Sequence, residues 1–234
     1  MNYTVAQIIH ELEQLGNKEN IAFKERKFGV KTTNALGIYH PDLKIIAKKI
    51  GKDSRLAKAL FETGIYEAKI LCSQLFDPRE LTEDLMEKWV PTFENWEICD
   101  SFCMGLFAKS QFAVVKAKLW SQRSAEFEKR ASFATIAAYC MADKKALNPV
   151  FEQFFPLIKR AATDERIYVK KAVNWALRNI GKRNLDLNQR AIEESLKIYA
   201  LDSPSAQWIA KDALKKLQKP TVKMLDYPRS LYRL

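Results

Sequence analysis

The sequence contains little glycine or proline. Of its 234 residues, 7 are glycine and 8 are proline. Tight β-turns depend on these two residue types, so a chain made of many hairpins is disfavoured. No stretch reaches the roughly 20 consecutive apolar residues that would span a bilayer, so we expect no membrane partner. The first residues lack the basic and apolar regions of a signal peptide, which predicts a cytoplasmic protein.

Cysteine and histidine are also scarce, with 4 and 2 residues respectively. The cysteines show neither the C-x2-C spacing of zinc sites nor the density of a disulfide-stabilised scaffold. We interpret them as buried thiols that act as small hydrophobic side chains. His10 and His40 lie far apart in the sequence. The sequence therefore predicts no metal site.

Positive charge is in excess. Lysine and arginine number 39 against 28 aspartate and glutamate residues, a formal net charge of +11. The hydrophobic share of 47% and the charged share of 29% are typical of a folded globular protein. The surplus indicates a polyanionic partner, although it says nothing about chemistry.

Nearly every segment of the chain has a helical hydrophobic period, and none alternates with the period of a strand. One predicted helix begins near Pro41 and ends before Gly51, and the next begins after Asp53 as its N-cap and ends before Gly64. Ser203 is the predicted N-cap of a later helix. Further helices are predicted at about 65–76, 79–90, 93–108, 110–122, 124–142, 147–162, 165–181, 187–200 and 204–218. The short connections between them favour antiparallel packing of consecutive helices. We therefore predict an all-α protein with one domain over residues 1–234.

The order of these helices favours a particular architecture. Pairs of similar length that follow one another without a long linker are typical of HEAT-like solenoids, which form an α-α superhelix. No internal repeat is evident in the residues themselves. An irregular helical bundle is the alternative.

One carboxylate lies where an apolar residue is expected. In the helix over 93–108, the apolar stripe contains Phe93, Trp96 and Phe107, and Asp100 falls inside this stripe. A carboxylate in that position must be paired, hydrogen-bonded or facing a cleft, since burying it alone is costly. Asp100 is therefore either half of a structural ion pair or a functional acid.

A second misplaced charge is Arg130, which shares its helix face with Phe127 and Ala134. An arginine among small apolar residues can pair with a buried carboxylate. It can also present a fixed cation to a phosphate. The sequence leaves both roles open.

The region 166–190 combines aromatic rings with cations. Trp175 lies on the polar face of its helix, at the same azimuth as Tyr168. Cations for phosphates and a flat ring for a sugar or base fit contact with nucleic acid. Alternatively, another helix covers Trp175. The predicted DNA-binding residues are Tyr168, Lys170, Lys171, Arg178, Lys182 and Arg183, with Lys44 and Lys48 on an earlier helix.

Three segments with these residues make the chain resemble the DNA alkylation repair family, the AlkD-like HEAT-repeat DNA glycosylases. They are NWEICD at 95–100, EFEKRASF at 126–133 and YVKKAVNWALRNIGKRN at 168–184. The segments KFGVKTTNALGI and SAQWIAKDALKKLQK are also similar to family sequences. The resemblance extends from about residue 28 to the end of the chain.

The resemblance implies an all-α solenoid that binds double-stranded DNA in a basic groove. A monomer is expected, since a solenoid that grips DNA need not oligomerise. Active members excise cationic N3- or N7-alkylated purines without a metal or nucleotide cofactor. Matched by motif, Asp100 is the catalytic carboxylate, Trp96 and Trp175 are aromatic walls, and Arg130 is a cation at the DNA backbone.

Two other functions are compatible with the sequence. A non-catalytic module of the same fold would use the basic face to recognise damaged or branched DNA. A protein-binding scaffold would instead present an exposed apolar patch.

Overall fold

The computed structural model describes residues 3–232, and the regular structure in that range is helical, without a strand. The chain divides into two compact units, one ending at Ser110 and the other beginning at Gln111. Each unit is described separately below. The predicted all-α class is confirmed, while the assignment of the whole chain to one domain stays a prediction.

The first unit contains seven α-helices in its described residues. They are α1 (Val5–Leu15), α2 (Lys18–Phe28), α3 (His40–Ile50), α4 (Ser54–Glu62), α5 (Tyr66–Leu75), α6 (Glu83–Trp89) and α7 (Trp96–Gly105). The second unit contains α8 (Ala113–Trp120), α9 (Glu126–Ala142), α10 (Asn148–Glu152), α11 (Phe155–Ala161), α12 (Ile167–Ile180), α13 (Leu185–Tyr199), α14 (Pro204–Leu217) and α15 (Arg229–Tyr232).

Most predicted helix boundaries are found in the structure. The Asp53 carboxylate accepts a hydrogen bond from the Leu56 N–H and begins α4. Ser203 caps α14 in the same way. The predicted helix over 147–162 is instead divided into α10 and α11. Pro156 explains the break, because its ring and missing N–H prevent one helix from continuing through it.

Aromatic packing fixes the inner face of α7 in the first unit. The rings of Phe61, Trp89 and Phe102 are buried, and their centroids lie 5.2 to 5.9 Å apart. These residues come from α4, α6 and α7, so one cluster joins three helices. Large buried rings contribute strongly to a core. The opposite face of α7 is left to line the cavity described below.

The second unit has its own core, in which α12 packs against α9 and α14. The apolar stripe of α12, which includes Val169, Val173 and Leu177, is fully buried. All four cysteines of the chain are buried, as predicted.

A buried glutamate supports the segment that leads into α3. The Glu67 carboxylate accepts hydrogen bonds from the main-chain N–H groups of Leu36, Gly37 and Ile38 at 2.8, 2.8 and 3.2 Å. Both of its oxygens are used. These bonds fix the main chain just before His40, the first residue of α3.

We expect Glu67→Gln to lower the free energy of unfolding by about 2 kcal/mol. An amide has one acceptor oxygen, so either orientation of the glutamine turns an NH₂ group towards a main-chain donor. Urea denaturation followed by circular dichroism measures the change. The matched control is Glu62→Gln, an exposed carboxylate paired with Lys88, which should cost less than about 1 kcal/mol. Equal effects of the two variants would contradict the prediction.

Candidate functional site

A cavity of about 500 Å³ in the first unit runs along α7. Trp96, Asp100 and Met104 follow one another at four-residue spacing, so they lie on one face of the helix. The other lining residues are His40, Lys44, Lys52, Ser73, Gln74, Glu97, Ser101, Gly105 and Lys109.

Asp100 is half-buried and lines this cavity. The carboxylate that interrupts the apolar stripe therefore faces a cleft. Trp96 is half-buried on the same wall, and its Nε1–H donates to the main-chain oxygen of Phe28 at 2.9 Å. This bond fixes the orientation of the indole one turn before Asp100.

The beginning of α7 is held by Asn95. Its side-chain oxygen accepts from the N–H groups of Glu97 and Ile98 at 2.9 and 3.1 Å, which caps the helix. Its amide nitrogen donates to the main-chain oxygen of Lys31 at 2.8 Å. The helix that carries Trp96 and Asp100 is thereby tied to the segment that follows α2.

A buried ion pair adds to this support. The Glu97 carboxylate lies 2.6 Å from Lys24 Nζ, and the Tyr66 hydroxyl donates to Glu97 Oε2 at 2.9 Å. Lys24, Tyr66 and Glu97 are all buried. Burial raises the pKa of Tyr66, and the adjacent Glu97 charge raises it further. Tyr66 therefore stays protonated as a hydrogen-bond donor.

His40 lies in the cavity wall beside this network. Its Nε2 is 3.3 Å from Ser101 Oγ and 3.7 Å from a carboxylate oxygen of Glu97. The Ser101 hydroxyl donates its single hydrogen to the Glu97 main-chain oxygen at 2.6 Å, so it accepts from His40. Nε2 therefore carries the proton in the neutral ring. Burial lowers the pKa of His40, and Lys24 and Lys44 lower it further, while Glu97 opposes the shift.

The cavity has a cationic side. Of the lysines predicted to bind DNA in this unit, Lys44 lines the cavity. Lys48 lies one turn further along α3, exposed and outside the lining. Lys52 and Lys109 line the cavity and were not predicted.

In the second unit, Arg130 is buried on α9, and its Nη1 donates to the main-chain oxygen of Tyr168 at 2.6 Å. Because Arg130 is buried, its position favours an internal contact over the presentation of a cation to a phosphate. The bond fixes the first turn of α12, where Tyr168 lies.

Trp175 combines features of both alternatives from the sequence. It is half-buried and packs against the core of the second unit, so part of the indole remains accessible. Tyr168 is also half-buried, and its ring centroid lies 5.6 Å from that of Phe127.

The predicted cations of α12 differ in their surroundings. Lys171 is exposed, and the ammonium group of Lys170 lies 5.5 Å from the Trp208 ring centroid. The Arg178 guanidinium lies 3.6 Å from a carboxylate oxygen of Asp212. Burial lowers the pKa of the half-buried Lys182, and the charges of Arg178 and Lys216 lower it further. These four residues give α12 and the turn that follows it a basic surface.

Arg183 requires a correction. It is fully buried, and its guanidinium donates to the main-chain oxygens of Cys140, Asp143 and Ala146 while stacking 3.9 Å from the Phe151 ring centroid. The side chain holds the turn after α9 and cannot reach a phosphate from this position. Its role is structural rather than DNA-binding.

Sequence reasoning missed His40, Lys52, Lys109 and the pair of Lys24 with Glu97. Lys52 follows the end of α3, and Lys109 ends a short 3-10 helix (Phe107–Lys109) after α7, so a projection of the longer helices gives neither side chain a direction. Within residues 3–232 no three histidine, cysteine, aspartate or glutamate side chains form a group suited to a metal ion. No helix in that range is long and apolar enough to cross a membrane.

Comparison with known proteins identifies relatives of this chain. A family model described as DNA alkylation repair enzyme matches residues 8–217. A solved structure is similar with a TM-score of 0.72 and 18% sequence identity, over 91% of this chain and 95% of the other. That structure represents "a new family of proteins related to the HEAT-like repeat DNA glycosylases with affinity for branched DNA structures". The predicted HEAT-like fold is thereby confirmed. No curated protein sequence matches the chain.

We expect an NMR titration to place the pKa of His40 below its ordinary value of 6.5. Lys44→Ala should raise this pKa, because it removes a cation that disfavours the imidazolium. Lys48→Ala, outside the cavity, is the control. A group whose pKa is lowered by folding binds fewer protons in the folded state, so its contribution to stability is lost as the pH falls from 6.5 to the folded-state pKa. A pKa for His40 at or above 6.5 would contradict the prediction.

Proposed function

Because the chain belongs to the DNA alkylation repair enzyme family, we propose that it is a DNA glycosylase. Its substrates are purines that carry a positive charge from alkylation at N3 or N7, in double-stranded DNA. The observation that carries the proposal is the position of Asp100, one turn from Trp96 and on the wall of an open cavity.

The chemistry suits a fixed carboxylate. A cationic alkylpurine is a good leaving group, so the barrier lies in the positive charge that develops on the deoxyribose. Asp100 stabilises this charge and orients a water molecule towards C1′. The C1′–N bond breaks, the base leaves as a neutral purine, and a C1′–O bond forms. The proton released by the water passes to the carboxylate and then to solvent.

Aromatic faces contribute to the same step. Trp96 lines the cavity beside Asp100, where a ring face attracts the cationic base or sugar. Trp175 is partly accessible in the second unit, and its assignment as an aromatic wall rests on its match to the family motif alone. Arg130 acts as a positioning residue in this proposal, because its bond to Tyr168 fixes the start of α12.

DNA binding is supported by charge. The basic surface of α12 and the turn after it would contact phosphates through Lys170, Lys171, Arg178 and Lys182, and Lys44 would do so at the cavity. Such contacts release counterions, so affinity would fall steeply as salt concentration rises.

We expect the protein to release free 3- or 7-methylpurine from methylated duplex DNA, measured by mass spectrometry. Asp100→Asn should reduce the rate by about 10²- to 10³-fold, because it removes the charge that stabilises the transition state. Its affinity for the same DNA should be unchanged or higher, since one repulsive charge near the phosphates is lost.

The matched control is Asp84→Asn, which alters an exposed aspartate on α6 and should retain full activity. If folded wild-type protein binds the methylated duplex but releases no base above background, the glycosylase proposal is wrong.

A second candidate function is recognition of branched DNA without catalysis. It is favoured by the similarity to a structure from a family described as having affinity for branched DNA. Under this alternative, a four-way junction should compete for the protein at least about tenfold better than a duplex of equal length, and Asp100→Asn should change neither affinity. Equal affinity for both DNAs, together with base release, would rule out this alternative.

A further inference from the structure

Three lysines line the same cavity as Asp100, and they come from different parts of the first unit. Lys44 belongs to α3, Lys52 follows the end of α3, and Lys109 follows the end of α7. No ion pair with a carboxylate is found for these three within the described part of the chain. The cavity therefore combines the carboxylates of Glu97 and Asp100 with three lysines that form no ion pair with them.

The ammonium groups of Lys52 and Lys109 are fixed by hydrogen bonds to main-chain oxygens. Lys52 Nζ donates to the main-chain oxygens of Gln74 and Phe76 at 2.7 and 2.8 Å, at the end of α5. Lys109 Nζ donates to the main-chain oxygen of Gly105 at 3.0 Å, at the end of α7. Since an ammonium group has three hydrogens, each lysine keeps at least one for another acceptor.

The two ammonium groups also repel each other. Burial lowers the pKa of Lys52, and the charge of Lys109 is the next contribution in size. Fixed like charges that share a cavity disfavour the protein without a ligand, and an anion placed between them removes this cost. Asp77 offsets part of the repulsion at Lys52, but neither lysine forms an ion pair with a carboxylate in the described residues, so the arrangement suits an anionic ligand.

A cationic substrate base would be repelled by these lysines unless they were neutralised. A DNA strand brings its own anion, the phosphodiester that adjoins each deoxyribose. With that phosphate at the lysines, their positive charge would meet the anion of the strand and would no longer repel the cationic base.

We propose that Lys52 and Lys109 form a phosphate-binding subsite that holds the phosphodiester next to the target nucleotide. This subsite rests on the proposed function, because it assumes that DNA enters the cavity. It makes the two lysines positioning residues, which set the register of the deoxyribose against Asp100. Neither lysine takes part in the bond changes.

The test combines protein variants with DNA in which single phosphates are neutralised. The probe is a fluorescent duplex with one tetrahydrofuran abasic-site analogue, and a methylphosphonate replaces one phosphate at a time around it. Affinity is measured by fluorescence anisotropy, so the result does not depend on base release.

For the wild type we expect one methylphosphonate position to weaken binding by about tenfold, the loss of one charge-assisted hydrogen bond. Lys52→Ala and Lys109→Ala should weaken binding to the unmodified probe by a similar factor. In these variants the methylphosphonate at that position should cause little further loss, because its partner is already absent. Each variant should also reduce the slope of log affinity against log salt by about 1.

Lys58→Ala is the matched control, because it removes an exposed lysine of the same unit from outside the cavity lining. Its methylphosphonate profile should equal that of the wild type. A purely structural role, the capping of α5 or α7, would weaken binding to every probe equally and leave the profile unchanged. That outcome would overturn the proposal.

The two proposals fail in different ways. Absence of base release together with the expected methylphosphonate coupling would remove the glycosylase function and leave the phosphate subsite in place. Base release together with an unchanged methylphosphonate profile in Lys52→Ala and Lys109→Ala would support the glycosylase function and overturn the phosphate subsite. Lys52→Arg should restore the coupling if the contact is to a phosphate, because the arginine retains the charge.

Discussion

The buried ion pair between Lys24 and Glu97 is the interaction on which the candidate site depends. Taking two charges out of water is costly, and the cost is offset only when the geometry is good and further hydrogen bonds satisfy the charged groups. Tyr66 supplies such a bond to the carboxylate. Glu97 lies in the first turn of α7, next to Trp96 and one turn before the cavity wall at Asp100. Through Lys24 on α2 and Tyr66 on α5, these contacts fix the orientation of α7, the helix that carries Trp96 and Asp100.

The cavity is lined by charges of both signs, and this combination reconciles two requirements of a cationic lesion in DNA. The lesion needs an anion, whereas the strand that carries it needs cations. A lysine-lined cavity alone would repel the base, and a carboxylate alone would repel the phosphates. With Asp100 on α7 and the lysines at the ends of α3, α5 and α7, each charge of the substrate would meet its opposite.

Local features of the sequence predicted more of the protein than long-range features did. The caps at Asp53 and Ser203 depend on a few neighbouring residues, and the structure contains both. The intrusion of Asp100 into an apolar stripe is equally local, and it led to the cavity wall. The partnership of Lys24 with Glu97 joins distant segments, so no helical period reveals it. Arg183 was misplaced for a related reason: α12 ends at Ile180, and a projection that assumes a helix has no meaning beyond that residue.

The protonation states in the cavity also bear on which bases could be excised. An uncharged purine requires a general acid to protonate it as it leaves, whereas a cationic alkylpurine does not. His40 is the natural donor by residue type, but burial lowers its pKa, which disfavours the protonated form, and its Nε2 proton is directed to Ser101. In the proposals above the three cavity lysines contact phosphates, which leaves His40 as the candidate proton donor, and its lowered pKa disfavours that role. Such a site suits leaving groups that already carry a positive charge. A cationic base departs as a neutral molecule, so it needs no protonation by a general acid, which other glycosyl transfers require.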